Sequence, residues 1–114
     1  MKIEKFEDII AWQRGKTSAI DIYQSFKLCR DYSFRDQIQR ATISISNNIA
    51  EGFERQSNKE LVKFLYISKG SCAEVRSMLY IAMKLKYINR SNFDKFYSAS
   101  REISMILSGF IKTL

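Results

Sequence analysis

The stretch Arg40–Glu60, RATISISNNIAEGFERQSNKE, carries an apolar series and a polar one side by side. Ile38, Ala41, Ile45, Ile49 and Gly52 recur at steps of three and four, with Phe34 one turn earlier. That spacing keeps side chains on one face of an α-helix and marks the face as core. At about 100° per residue, Arg40, Ser44, Asn48, Glu51 and Arg55 fall within an arc of roughly 80° beside it. The stretch is therefore a helix whose core face is bordered by a polar stripe. It ends where Ser57 and Glu60 form a Ser-x-x-acid pattern, in which the serine caps free amide groups and the acid sits at the positive end of a new helix.

The same pattern recurs at Ser33–Asp36 and Ser91–Asp94, giving three helix starts. With an opening helix, the spacing predicts helices at about 5–28, 34–55, 58–88 and 92–113. The first contributes Phe6, Ile9, Ile10, Trp12, Ile20, Tyr23 and Phe26, with Gly15 as a local weak point. The last has a single seam: Phe93, Phe96, Ser100, Ile103, Leu107, Phe110 and Leu114. The third has two series, one through Leu61, Leu65, Ser68, Cys72, Val75, Leu79 and Ala82, the other through Phe64, Ile67, Ser71, Met78, Ile81, Leu85 and Ile88. Short loops make neighbours antiparallel, so the reading is all-α: a single domain over residues 1–114 forming an antiparallel up-down-up-down four-helix bundle. The second apolar face of the third helix predicts a homo-oligomer, because a bundle of four covers each helix on only about half its circumference.

The 114 residues carry nineteen Lys and Arg against twelve Asp and Glu, a formal charge of +7. Such a balance favours nucleic acid, acidic proteins or anionic surfaces as partners. There is no histidine, the commonest general base and transition-metal ligand, and no proline to break a helix. Cys29 and Cys72 lack the spacing of a zinc site and read as reduced thiols packed like small hydrophobes. No apolar run is long enough to span a membrane. The opening MKIEKFEDII contains Glu4, Glu7 and Asp8, unlike a signal or transit peptide, so a cytoplasmic protein is expected. No phosphate loop, nucleophile elbow or cofactor motif is present; the expectation is no enzyme, no cofactor and no metal.

Two sets of residues stand out. The polar stripe is either a solvated face, with Glu51 and Arg55 as an i,i+4 ion pair, or a hydrogen-bonded network between helices or subunits. The second set follows the charge, since residues 57–90 carry a formal +5 and residues 31–56 a formal −1. Lys63, Lys69, Arg76 and Lys84, interleaved with Tyr66, Tyr80 and Tyr87, combine phosphate-binding cations with rings able to stack on bases, the combination expected of an RNA or DNA site. The competing reading is that the tyrosines cover a subunit interface and the cations solubilise it.

The segment QIQRATISISNNIAEGFERQSNKELVKFLYISKGSCAEV resembles the four-helix-bundle family encoded in intervening sequences of bacterial 23S ribosomal RNA. The likeness rests on Arg40, Ala41, Ser44, Ile45, Asn48, Ile49, Ala50, Glu51 and Gly52, then Arg55 and Ser57, then Gly70, Ser71 and Glu74, and extends from FEDIIAWQ to the last helix. The resemblance implies a homo-oligomer, with five-subunit rings among related members, and no established activity. It is also similar to accessory subunits of diversity-generating retroelements, which by analogy suggests nucleic acid and a reverse transcriptase as partners. It favours a structural network of Arg40, Ser44, Asn48, Glu51, Ser71 and Glu74, with Gly70 serving close backbone approach. The function it supports is a non-catalytic nucleic-acid or ribonucleoprotein accessory, with a protein–protein scaffold as the alternative.

Overall fold

A computed structural model describes residues 3–114, so the first two residues of the acidic opening lie outside the description. A 3-10 turn at Phe6–Asp8 leads into α1 (Ile10–Phe26), α2 (Tyr32–Phe53), α3 (Asn58–Lys84) and α4 (Arg90–Lys112), with no strand among the described residues. Each helix packs on two neighbours: α1 on α2, α2 on α3, α3 on α4, and α4 back on α1. Side-chain pairs run in opposite directions along three of these four helix pairs. Ser44 meets Ser71 while Gln37 meets Glu74; Lys69 meets Ser108 while Arg76 meets Ser100; Arg14 meets Glu102 while Lys95 meets Asp21. The result is an antiparallel four-helix bundle measuring 43 × 22 × 19 Å.

The core is made by the series read from the spacing. Ile38, Ala41, Ile45 and Ile49 of α2, the first series of α3, and Phe93, Phe96, Ser100, Ile103 and Leu107 of α4 are all buried. α1 differs from expectation: Ala11, Ala19 and Ile22 are buried with Ile9 and Phe26, whereas Ile10, Ile20 and Tyr23 are exposed. Small residues on the inner face of α1 allow this, since Gly15 lies so close to α2 that a methyl group there would stand 3.3 Å from Ile45. Gly15 thus serves packing inside an unbroken helix.

Three helix starts shift. Asp31, not Ser33, caps α2 by accepting from the Phe34 amide at 3.1 Å, and Asn89, not Ser91, caps α4 by accepting from Asn92 at 2.8 Å. Asp and Asn are equal to serine as caps and stand two residues earlier, so they act first. Ser57 caps α3 as expected. At the opening, Ile9 is extended and separates the 3-10 turn from α1, while Phe6 folds back edge-on to Trp12 at 5.1 Å. α3 stops at Lys84 instead of 88 because Lys86 turns into the left-handed region at φ 64°. The Tyr87 amide then donates to Ala82 and the Lys86 amide to Met83, satisfying the last carbonyls of the helix.

Two glycines make opposite predictions. A methyl group on Gly52 would meet Phe64 Cβ at 2.5 Å, whereas one on Gly70 would meet nothing within 4 Å. Denaturant unfolding of Gly52→Ala is expected to show a loss of about 1–3 kcal/mol from overpacking. Gly70→Ala should instead leave the folded protomer as stable or gain up to about 1 kcal/mol through helix propensity.

Candidate nucleic-acid interface

The cations and tyrosines of the sequence reading do not form one stripe; the packing divides them. Lys69 and Arg76 lie half-buried on the side of α3 that faces α4. The Lys69 ammonium donates to Ser108 Oγ at 2.6 Å, and Arg76 Nη1 donates to Ser100 Oγ at 3.2 Å. Ser100 in turn donates to the Cys72 carbonyl at 2.9 Å. Both cations are therefore positioned by neutral hydroxyls, which leave their charge uncompensated. Ion pairs among the described residues engage Arg14, Arg35, Arg55, Arg90 and Lys95, and none engages Lys69, Arg76 or Arg101.

Tyr80 continues the line. Its ring packs 5.2 Å from Phe93 and 5.5 Å from Tyr97, which itself stacks on Phe93 at 5.4 Å. Hydrogen bonding to Tyr97, then burial, pushes the Tyr80 phenol above its ordinary value, with Arg101 and Arg76 pulling the other way. Both guanidinium groups thus act on the same phenol from α4 and α3. Arg101 and Tyr97 escaped the sequence reading, although Tyr97, Arg101, Ser104 and Ser108 recur at four, three and four residues, a second stripe beside the apolar seam of α4.

Lys63, Tyr66 and Lys84 stand apart on the outward ridge of α3, all exposed. Tyr87 leaves the face altogether: the reversal at Lys86 carries it toward α2, where its hydroxyl donates to Asp31 Oδ2 at 2.7 Å and its ring meets Phe34 edge-on at 5.3 Å. It ties the α3–α4 turn to the cap of α2.

The polar set lies on the opposite, α2-facing side of α3. Ser44 and Ser71 share a hydrogen bond, Ser71 also donates to Ile67 O at 3.2 Å, and Asn48 donates to Ser44 O at 2.7 Å. Glu51 does not join them; it pairs with Arg55 at 3.1 Å with both side chains about half exposed. Gln37 donates to Glu74 at 3.5 Å across a cavity of 580 Å³ that Ser33, Asp36, Arg40 and Ser44 also line. Within a protomer the structure thus joins Ser44, Asn48 and Ser71 and leaves Arg40, Glu51 and Glu74 exposed. Ile67, Ile81 and Leu85 are 45%, 48% and 49% exposed on α3, on the Glu74 side of its ridge. Burial pushes the Cys72 thiol up to about 11 against the pull of Arg76, Ser100 and Lys69, which favours the thiol over the thiolate.

A family model described as 23S rRNA-intervening sequence protein matches residues 7–109. The chain belongs to that family. A solved structure from Bacteroides thetaiotaomicron, described as a protein with unknown function from the S23 ribosomal protein family, is 24% identical, with a TM-score of 0.84 over 90% of this chain and 99% of that one. That likeness establishes the fold alone. No curated protein matches. Among the described residues of this family member, no helix is long and apolar enough to cross a membrane.

The Tyr87–Asp31 contact has a defined pH signature. The Tyr87 hydroxyl, then the Phe34 amide, holds the Asp31 carboxyl below its ordinary 3.8, while the same bond raises the Tyr87 phenol above 10.0. A lowered carboxyl stabilises the fold above its unfolded value and loses that contribution as pH falls through the folded value; a raised phenol does so below its unfolded value and loses it as pH rises. Tyr87→Phe should therefore lower Tm most at neutral pH. The gap from wild type should narrow in acid below 3.8 and in base above 10.0, as thermal melts across pH would record.

Proposed function

We propose that this family member is a non-catalytic, basic, homo-oligomeric bundle that works in the cytoplasm as an accessory to nucleic acid or to a ribonucleoprotein. The observation that carries the reading is the pair Lys69 and Arg76, held by serine hydroxyls with no carboxylate partner among the described residues, beside the rings of Tyr80 and Tyr97. Anchored cations next to aromatic faces are what sequence-tolerant binding of a polyanion requires. A reverse transcriptase as protein partner is an analogy with retroelement accessory subunits.

Assembly belongs to the same reading. Ile67, Ile81 and Leu85 expose an apolar strip beside Arg40, Glu51 and Glu74, and a second copy docked there would bury the strip and complete the polar network. A closed ring needs two different surfaces on each subunit. A groove of 460 Å³ between α1 and α2, lined by Ile20, Tyr23 and Ile43, supplies the second, and five subunits are the proposed ring. Gly70, open on the protomer surface, would then admit a neighbouring backbone. The alternative, a scaffold for other proteins without nucleic-acid binding, is favoured by that same exposed apolar strip.

Light scattering at micromolar concentration should return a multiple of the 13.4 kDa protomer, and a monomer throughout that range would reject the assembly. Anisotropy titrations with single-stranded RNA and DNA should show affinity falling steeply with salt, by about 0.7 in log K per log salt for each phosphate neutralised. An absence of binding at low salt would leave the scaffold as the function.

A further inference from the structure

We infer that the α3–α4 seam is the track on which a single strand of nucleic acid lies, with Lys69, Arg76 and Arg101 on its phosphates and Tyr80 and Tyr97 against its bases. The inference rests on the nucleic-acid reading above and assigns it to one side of α3, apart from the outward ridge and from the α2-facing side left for association.

The register of the two helices builds the track. Lys69 opposite Ser108 and Arg76 opposite Ser100 set Ala73 opposite Ser104, so only small side chains stand between the cations. Lys69 and Arg76 are about 10 Å apart along α3, and Tyr80 is about 6 Å further on. Three of the four carboxylates of the same two helices turn elsewhere, Glu74 toward Gln37, Glu102 toward Arg14 and Asp94 toward Arg90, and the fourth, Glu60, lies in the first turn of α3, nine residues before Lys69. The line is thus positive from Lys69 to Arg101 with no internal anion to displace.

Anchoring separates this line from the outward ridge. Half-buried Lys69 and Arg76 have stems packed on the bundle and heads held by hydroxyls, so little rotamer freedom remains to be lost on binding. Lys63 and Lys84 are fully outward, about 30 Å apart, with the apolar Ile67 and Ile81 beside the ridge between them. Two helices packed about 8–10 Å apart present a single file of cations, which suits one backbone rather than the two of a duplex. Tyr80, 58% exposed and braced by Phe93 and Tyr97, offers a rigid ring for an unpaired base.

The test is anisotropy of a labelled uridine-rich RNA oligonucleotide titrated with the full-length protein over a range of salt, with helix content and oligomer size checked for each variant. Arg101→Gln, at an exposed residue outside the ion pairs of the described residues, should lower the log–log salt slope by about 0.7, and Lys69→Gln with Arg76→Gln by about twice that. Lys63→Gln with Lys84→Gln should change the slope far less. An abasic strand and a duplex of equal length should both bind more weakly than the single strand. If the wild type binds and the ridge pair lowers the slope while Arg101→Gln does not, the track is misplaced. Equal affinity for the duplex would overturn the single-strand assignment. A wild type that fails to bind would remove the underlying nucleic-acid reading together with the track.

Discussion

The close crossing of α2 and α3 is the constraint on which the rest of the molecule depends. Gly52 admits Phe64 where no methyl group would fit, and Ser68, fully buried, donates to the Ile45 carbonyl at 2.7 Å. A third contact, Ser44 to Ser71, follows beyond Ile45 and Ser68 in the same antiparallel register. A buried hydroxyl is costly unless satisfied, so these bonds fix both the rotation of α3 and its height against α2. Once that rotation is set, every other residue of α3 has its direction assigned.

Two surfaces of unlike chemistry follow. On the α4 side, Lys69 and Arg76 find serines instead of acids and keep their charge available. On the α2 side, Ile67, Ile81 and Leu85 stay uncovered next to a polar cavity with charged residues at its rim. In the proposed reading the first surface would meet a polyanion and the second another subunit, so a single helix would serve both without competition. Cys72, at the inner edge of the cationic side, is buried, and burial favours its protonated thiol.

The family relationship accounts for the polar stripe only in part. Ser44 meets Ser71 across α2 and α3, whereas Asn48 bonds only to the Ser44 carbonyl of its own helix, and Glu51 and Arg55 form the exposed i,i+4 pair of the solvated reading. Exposed pairs of that kind are worth little to a protomer. The stripe therefore has an inner portion that serves the fold and an outer portion, with Arg40 and Glu74, that the protomer alone does not use.

The bundle itself was legible in the residue order, because helix periodicity and apolar burial are local in origin: the three- and four-residue steps through α2, α3 and α4 became the core with few exceptions. The boundaries were less so. Caps of equal strength compete over two or three residues, and Asp31 and Asn89 preceded the serines that the Ser-x-x-acid pattern favoured. A left-handed residue such as Lys86 has no composition cue, so the turn that removes Tyr87 from the cationic face was invisible beforehand. The partition of charge was invisible for a different reason. Lys69, Arg76 and Arg101 are brought together only when two helices pack at a particular rotation, and that rotation is decided by Gly52, Ser68 and Ser71 against a neighbour distant in sequence. The sequence by itself determined which faces are apolar and how much charge the chain carries; tertiary packing decided which cations lie along the α3–α4 seam.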